Sequence, residues 1–184
     1  MPAELILPVT RLQPSFLAAM AEYIAEGRGA PSDKSNVERD IRIFGDKWAE
    51  VAEFGRFVDS VRAQELDDTP RPDTYVPTTT LWWVDGDEYL GRLTIRHRLA
   101  PGRIGERNGH IGYDVRPSAR RKGHATAMLA AAVPWAARVG LTRALITCDA
   151  VNEPSRRVIE ANGGIFVDRL DEKLRYWLPV SATG

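Results

Sequence analysis

A basic turn with one glycine, Arg120-Arg121-Lys122-Gly123-His124-Ala125, has the residue types best suited to chemistry in this chain. It follows a short apolar segment, 110–115, and precedes an alanine-rich segment that predicts a helix from Thr126 to about Val139. The first N–H groups of a helix have no intrahelical partner and carry partial positive charge, so they attract phosphate. Glycine also lets a ligand approach the backbone closely. The turn therefore indicates a phosphate site, with a plain solvated connection as the alternative. Neither the dinucleotide pattern G-x-G-x-x-G nor the P-loop pattern G-x-x-x-x-G-K-[ST] is present.

Composition limits the class of protein. The 184 residues are 43% hydrophobic and 27% charged, which is typical of a globular chain of one domain. Lys+Arg and Asp+Glu both number 25, so the formal net charge is zero and we expect no nucleic-acid partner. The start shows no secretory signal and no apolar stretch is long enough to span a bilayer, so we expect no membrane partner.

The cysteine and histidine content argues against disulfide and metal chemistry. Cys148 is the only cysteine, which excludes an internal disulfide and fits a reducing compartment, so we expect a cytoplasmic protein. Cys148 lies in an apolar run, which predicts a buried small residue rather than a nucleophile. The three histidines, His97, His110 and His124, lack the spacing of metal ligands, and we expect no metal.

Hydrophobic periodicity and turn residues predict the elements that must position the turn. A strand at 5–7 precedes a helix at 15–26, for which Ser15 is a candidate cap, and a helix at 47–66 follows. Residues 36–44 suit a short helix or a turn, and 67–77 and 100–108 are predicted loops. The remaining elements are strands at 79–84, 89–98, 110–115, 143–149, 165–167 and 174–178, with helices at 126–139 and 153–161.

Two sequence blocks in this order resemble those of the GNAT family of N-acetyltransferases. The family's phosphate loop is Gln/Arg-x-x-Gly-x-Gly/Ala, which Arg120, Gly123 and Ala125 match, after a strand that ends in Val115-Arg116-Pro117. The second block is Asn152-x-x-Ser155 followed by Asn162-Gly163-Gly164, which is similar to the family's Asn-x-x-Ser/Ala and Gly-Phe residues. The resemblance covers roughly residues 79–180.

The resemblance implies an α/β (α+β) fold. Its sheet would be mixed and mostly antiparallel, with six to seven strands flanked by helices and with splayed fourth and fifth strands. The chain, 1–184, would form a single acetyltransferase domain. Residues 79–180 would be its acetyl-CoA-binding core, and 1–78 would supply helices and loops on the acceptor side.

The resemblance also implies an acyltransferase that moves an acetyl group from acetyl-CoA directly to a primary amine of a small molecule or peptide. The pyrophosphate would bind the turn, and the peptide-like pantetheine arm would pair with the fourth strand. Asn152 would hydrogen-bond the arm from the other side, a role compatible with capping the helix that follows it. A homodimer is a further expectation. The implied cofactor-binding residues are Tyr113, Asp114, Val115, Arg120, Arg121, Lys122, Gly123, His124, Ala125, Thr126, Asn152 and Ser155.

Two residues bear on catalysis. The amine must be neutral to attack, so a base must accept its proton. Many members of the family have a glutamate before Ile-Gly-Tyr, and His110 stands in that place here, so it is the candidate catalytic base, with a packed strand histidine as the alternative. Many members also have a tyrosine seven residues after the asparagine, where this chain has Ile159, which cannot donate a proton. A non-catalytic acetyl-CoA sensor of the same fold, or an enzyme for a longer acyl chain, therefore stays open.

The acceptor site is expected in the amino-terminal half and the strand hairpins. Aromatic residues that could line it are Trp48, Tyr75, Trp82 and Trp83, and acidic residues that could attract a cationic amine are Glu50, Glu53 and Asp59. Residues of these types are more often part of the core or of a solvated helix face.

Overall fold

A computed structural model of the protein describes residues 2–30 and 36–180. Positions 1, 31–35 and 181–184 of the predicted 1–184 domain lie outside the described residues. The strands are β1 (Glu4–Ile6), β2 (Thr78–Asp85), β3 (Glu88–Arg96), β4 (Ile111–Val115), β5 (Arg143–Asp149), β6 (Ile165–Leu170) and β7 (Lys173–Pro179). Among the described residues the helices are α1 (Gln13–Ala25), α2 (Asn36–Phe44), α3 (Val51–Ala63), α4 (Arg103–Asn108), α5 (His124–Arg138) and α6 (Glu153–Ala161). None of these helices has the length and apolar character needed to cross a bilayer.

The strands form one mixed sheet in the order β1-β2-β3-β4-β5-β7-β6. Neighbouring strands are antiparallel except β4 and β5, which are parallel. The β4–β5 ladder contains one register pair, Ile111 with Ile146, beyond which the two strands separate. The predicted fold class is therefore confirmed, including the splayed fourth and fifth strands.

Both faces of the sheet are covered, which explains the continuous apolar run in β2. Leu81 and Trp83 face one core, where Met128 and Leu129 of α5 pack. Trp82 and Val84 face the opposite core, built with α1 and α3. Side chains alternate along a strand, so only a strand buried on both faces is apolar at successive positions.

The core under α1 and α3 is aromatic. The ring centroid of Phe16 lies 5.1 Å from those of Trp48 and Trp82, and 5.3 Å from that of Phe54. The buried face of α1 consists of Phe16, Ala19, Met20 and Tyr23. Ser15 is not the cap of this helix, because α1 begins at Gln13. The Ser15 hydroxyl instead accepts a hydrogen bond from the Tyr89 backbone N at 2.9 Å and so joins α1 to β3.

Two other predictions are wrong, the start of the helix at 47–66 and the loop at 100–108. The helix predicted at 47–66 is α3, which begins at Val51, and the Val51 side chain is 75% exposed. The predicted loop 100–108 contains α4, which lies between Gly102 (φ 67°) and Gly109 (φ 62°). A helix this short gives no periodic signal, whereas its flanking glycines look like those of a loop.

Gly91 permits the close pairing of β3 with β4. A Cβ at this position would lie 2.4 Å from the backbone oxygen of Asp114, which cannot move without displacing β4. We predict that Gly91→Ala lowers the free energy of unfolding by about 1–3 kcal/mol in a denaturant titration. Gly112→Ala is the control, because its Cβ would meet only the Thr94 hydroxyl oxygen, at 3.4 Å. Equal losses in the two variants would contradict this reading of Gly91.

Candidate functional site

A cleft of about 560 Å³ opens where β4 and β5 separate. It passes between the strands, so it has walls on both sides of the sheet. Gly112, Tyr113 and Asp114 line it from β4, Thr147, Cys148 and Asp149 from β5, and Asn152 and Ser155 from the start of α6. Arg92, Thr94 and Arg96 of β3 line its other end.

The edge of β4 that faces this gap carries backbone groups without a strand partner. Arg96 N donates to His110 O at 2.7 Å, and Arg116 N donates to Leu90 O at 2.9 Å. The even-numbered residues of β4 therefore direct their N–H and C=O groups toward β3, and the odd-numbered Tyr113 and Val115 direct theirs toward the gap. This edge can pair with an extended, peptide-like group.

The predicted phosphate turn leads directly into α5. The chain passes through two left-handed positions, Arg121 (φ 59°) and Gly123 (φ 84°), before the helix begins at His124. The first helical hydrogen bond runs from Ala127 N to Gly123 O at 3.1 Å, so the preceding N–H groups, through Thr126, have no helical acceptor. A Cβ at Gly123 would find no atom within 4 Å, so the space in front of the helix is open. This geometry fits a phosphate group.

Arg120 holds the turn in place rather than projecting into that space. Its two Nη atoms donate to the Glu26 carboxylate at 2.5 and 2.8 Å, and its Nε donates to Val115 O at 3.0 Å. Arg121 is exposed, and among residues 2–30 and 36–180 it has no hydrogen-bond or ion-pair partner. Arg121 is therefore a cation of the turn whose guanidinium is available to a ligand.

Two further residues of the predicted turn have structural partners. Lys122 Nζ donates to Ser118 O at 2.9 Å, which closes the turn on itself. Trp83 Nε1 donates to His124 Nδ1 at 3.2 Å, which fixes the ring at the first position of α5. Ala125 follows it within the first turn of the helix.

A pair of hydroxyl groups connects β4 to α6 across the gap. The Tyr113 hydroxyl and Ser155 Oγ lie 2.9 Å apart. Burial raises the pKa of Tyr113 to about 12, against the opposing effect of its hydrogen bond with Ser155. The phenol therefore stays protonated at neutral pH, and its hydroxyl can donate a hydrogen bond inside the cleft.

Asn152 caps α6, and Asp114 points to the other face of the sheet. Asn152 Oδ1 accepts a hydrogen bond from Ser155 N at 3.1 Å, which leaves the amide nitrogen of Asn152 as a donor toward the cleft. The Asp114 carboxylate forms an ion pair with Arg28, which follows α1. Asp114 therefore lines the cleft from the side opposite to the Tyr113 hydroxyl.

Cys148 and Ile159 lie in the core on the α5 side of the sheet. Cys148 is buried, as predicted, and burial raises the pKa of its thiol, which disfavours the thiolate form that a nucleophile needs. Ile159 is 0% exposed and fills the core beneath α6.

The structure does not bring His110 to the cleft. His110 is 7% exposed, and its Nδ1 accepts a hydrogen bond from Leu145 N at 2.9 Å. Its own backbone N donates to Leu145 O at 2.6 Å. Burial, together with the nearby charge of Arg96, lowers the pKa of His110. These contacts are those of a packed strand histidine, and they argue against the predicted catalytic base.

Most of the predicted acceptor-site residues lie elsewhere. Trp48, Trp82 and Trp83 are buried in the two cores, whereas Glu50 and Asp59 are exposed and Glu53 pairs with Arg56 on α3. Tyr75 does line the cleft. Sequence reasoning missed Arg92, Thr94 and Arg96. The signal that could have identified them is that polar residues alternate with apolar ones in β3, although both faces of this strand are buried.

Comparison with known proteins agrees with this architecture. A family model described as acetyltransferase (GNAT) domain matches residues 28–165. RimJ of Mycobacterium smegmatis in complex with CoA-disulfide aligns with a TM-score of 0.64 at 20% identity, over 96% of this chain and 81% of that chain. The microcin C7 self-immunity acetyltransferase MccE, in complex with acetyl-CoA and AMP, aligns at 0.62 and 11% identity, over 97% and 92%. The ribosomal L7/L12 alpha-N-protein acetyltransferase RimL, in complex with coenzyme A, aligns at 0.60 and 17% identity, over 98% and 95%. No curated protein matches the chain. At these identities the solved structures are similar in fold alone.

We predict that His110→Ala lowers the free energy of unfolding by about 1–3 kcal/mol, because the buried N–H of Leu145 loses its acceptor. His110→Asn should recover part of this loss, since an amide oxygen can replace Nδ1. The folded pKa of His110 is lowered, so below about pH 6.5 the unfolded chain binds a proton that the folded chain does not. The stabilisation by His110 is therefore complete above that pH and is lost as the pH falls.

Denaturant titrations of both variants between pH 5 and 8 measure these effects, with His110→Asn expected to flatten the pH dependence. If His110→Ala leaves the stability unchanged but abolishes acetyl transfer, His110 acts as the catalytic base.

Proposed function

The chain belongs to the acetyltransferase (GNAT) domain family, and from this premise we propose that it transfers an acetyl group from acetyl-CoA directly to a primary amine. One observation carries the proposal: β4, which lines the gap with its free backbone edge and the Tyr113 side chain, leads through residues 116–123 into a helix N-terminus suited to phosphate. Residues 79–180 would hold acetyl-CoA, and residues 1–78 would contribute to the acceptor side.

The residues around the gap fit the parts of acetyl-CoA. The N–H groups of residues 124–126, with the Arg121 guanidinium, would bind the pyrophosphate. The gap-facing backbone groups of Tyr113 and Val115 would pair with the amides of the pantetheine arm. Asn152 would donate its amide N–H to the arm from α6, because its Oδ1 already caps that helix.

Acetyl-CoA would supply the acetyl group as a thioester. In direct transfer, the amine nitrogen forms a bond to the acetyl carbon, the carbon–sulfur bond breaks, the nitrogen releases a proton to solvent and the sulfur takes one up. We assign the proton for the sulfur to Tyr113, whose hydroxyl stands in the cleft beside Ser155 and regains a proton from solvent after transfer. Ile159, at the position of the usual tyrosine, is buried and has no such role. A covalent route through Cys148 is disfavoured by the raised pKa of its thiol.

The names of the similar solved structures do not identify the class of acceptor. RimL is named for the alpha-amino group of a ribosomal protein, and MccE for immunity to microcin C7. A protein terminus and a small-molecule amine are both compatible with a primary-amine acceptor.

Binding of acetyl-CoA tests the first half of the proposal. By calorimetry, we expect the wild-type protein to bind acetyl-CoA and not ATP, and Gly123→Ala to weaken that binding at least about tenfold, or 1.4 kcal/mol. Gly140→Ala is a matched control, because Gly140 lies just past the other end of α5 with φ 85° and open space around its Cβ position. Both variants carry similar backbone strain, so their stabilities should fall together. Equal acetyl-CoA affinity in Gly123→Ala and Gly140→Ala would show that the turn does not bind acetyl-CoA.

Release of free coenzyme A thiol in the presence of an amine panel tests the second half. We predict that Tyr113→Phe lowers kcat on the order of 10²-fold with little change in acetyl-CoA affinity, because only the proton donor is lost. Tyr176→Phe is the control, since Tyr176 is also buried and bonds to Glu160 but does not line the cleft. A fully active Tyr113→Phe would exclude this donor. Tight acetyl-CoA binding without turnover of any amine would favour a sensor instead.

A further inference from the structure

Arg96 is a partly buried cation at the end of the cleft that β3 lines, on the face of the sheet opposite α5. Its Nη1 donates to two backbone oxygens, those of Asn108 at 3.3 Å and Gly109 at 3.4 Å. Within the described ranges, 2–30 and 36–180, no carboxylate forms an ion pair with it. Burial lowers the pKa of the Arg96 guanidinium, as expected when a charge loses solvent without gaining an opposite charge.

The other cations that line this cleft are neutralised. Arg92 pairs with Asp40, Arg107 with Asp171 and Glu172, and Lys173 with Asp149. The remaining carboxylate of the cleft, on Asp114, pairs with Arg28. Arg96 is therefore the one positive charge of the described cleft lining that has no opposite charge beside it. A buried charge is costly unless it is paired, so this position favours an anion.

Arg96 also lies where the cleft meets a second cavity. This cavity, of about 320 Å³, is bounded by Ile43 and Phe44 of α2 and by Ser60 and Val61 of α3, and it shares Arg96 with the cleft. Thr94, two residues before Arg96, pairs with Gly112 at the floor of the gap. Thr94, Arg96 and Gly112 all line the cleft, so the Arg96 side chain borders the same space as the gap between β4 and β5.

We propose that the acceptor carries an anionic group, a carboxylate or a phosphate, a few bonds from its amine, and that Arg96 binds this group. The statement about the acceptor rests on the proposed acetyl transfer. The binding of an anion at Arg96 does not depend on that proposal. A planar guanidinium with free N–H donors matches both anions in a bidentate manner. The apolar wall of the second cavity would contact the remainder of the acceptor.

Matched acceptors test the preference. Two pairs are compared, an amino acid with its amide and an amino-alkyl phosphate with the corresponding amino alcohol. Because the anion also raises the pKa of the amine, each kcat/KM is calculated for the neutral-amine fraction of the acceptor. In thiol-release assays we expect kcat/KM to favour the anionic member about 10- to 100-fold, the range for a hydrogen bond to a charged group. The pair with the larger ratio identifies the carboxylate or the phosphate.

Variants of Arg96 assign the preference to its side chain. Arg96→Gln should reduce the ratio to near one, because the amide is polar but carries no charge and is two bonds shorter than the guanidinium. Arg96→Lys should keep part of the ratio. Arg98→Gln is the control, since Arg98 is exposed, lies near Asp67 and is outside the cleft. A wild-type enzyme without the preference, or an Arg96→Gln enzyme that keeps it, overturns the proposal.

Direct binding separates this inference from the proposed function. Acetate and methylphosphonate are titrated by saturation-transfer NMR in the presence of excess coenzyme A, with Arg96→Gln and Arg98→Gln alongside. Binding that is lost only in Arg96→Gln supports the anion site even if no amine is acetylated. Binding that is equal in both variants, or absent from the wild type, overturns it even if acetyl transfer is observed.

Discussion

The separation of β4 from β5 is the constraint on which the rest of the site depends. The two strands are held together just before they part, by the hydrogen bonds of His110 with Leu145 and by the single pair Ile111–Ile146. Gly109 allows this contact, because a Cβ there would lie 2.5 Å from Leu145 O. Beyond it, β4 continues to pair with β3 and β5 with β7, so each strand keeps one satisfied edge. The two inner edges are left facing each other, with room for an extended ligand.

The amino-terminal helix also positions the phosphate turn. Glu26, just past α1, receives both Nη donors of Arg120, and Glu22 accepts from Arg116 Nε at 2.7 Å and from Ser118 N at 2.9 Å. Burial opposes ionisation of Glu22, but these hydrogen bonds outweigh it and hold its pKa below the ordinary value. Residues 1–78 therefore also support the turn, because Glu22 of α1 and Glu26 just past it fix the chain that leads into α5.

Sequence reasoning succeeded where the signal is local. The glycine of the turn, the β-forming residues of β2, the alternation in β3 and the two motif blocks are all signals from neighbouring residues. They predicted the sheet and the position of the turn. It failed where the decisive partner is distant. The Nδ1 of His110 is occupied by a residue 35 positions away, and the tryptophans of β2 are buried because helices cover both faces. Arg96 could not be distinguished from Arg92, since only the fold shows that Asp40 reaches one of them.

The proton donor assigned to β4 is consistent with the packing beneath α6. Ile159 is fully buried in the core on the α5 side of the sheet, and Gly164 makes room for it, because a Cβ at Gly164 would lie 2.4 Å from Ile159 Cγ2. A tyrosine at position 159 would need more space than this close contact leaves, and its hydroxyl would enter an apolar core. The side chain of α6 that meets the cleft is Ser155, and Tyr113 reaches it from the opposite strand. A hydroxyl is thus present at the gap although the helix carries no tyrosine, so the lack of that tyrosine is not by itself an argument against catalysis.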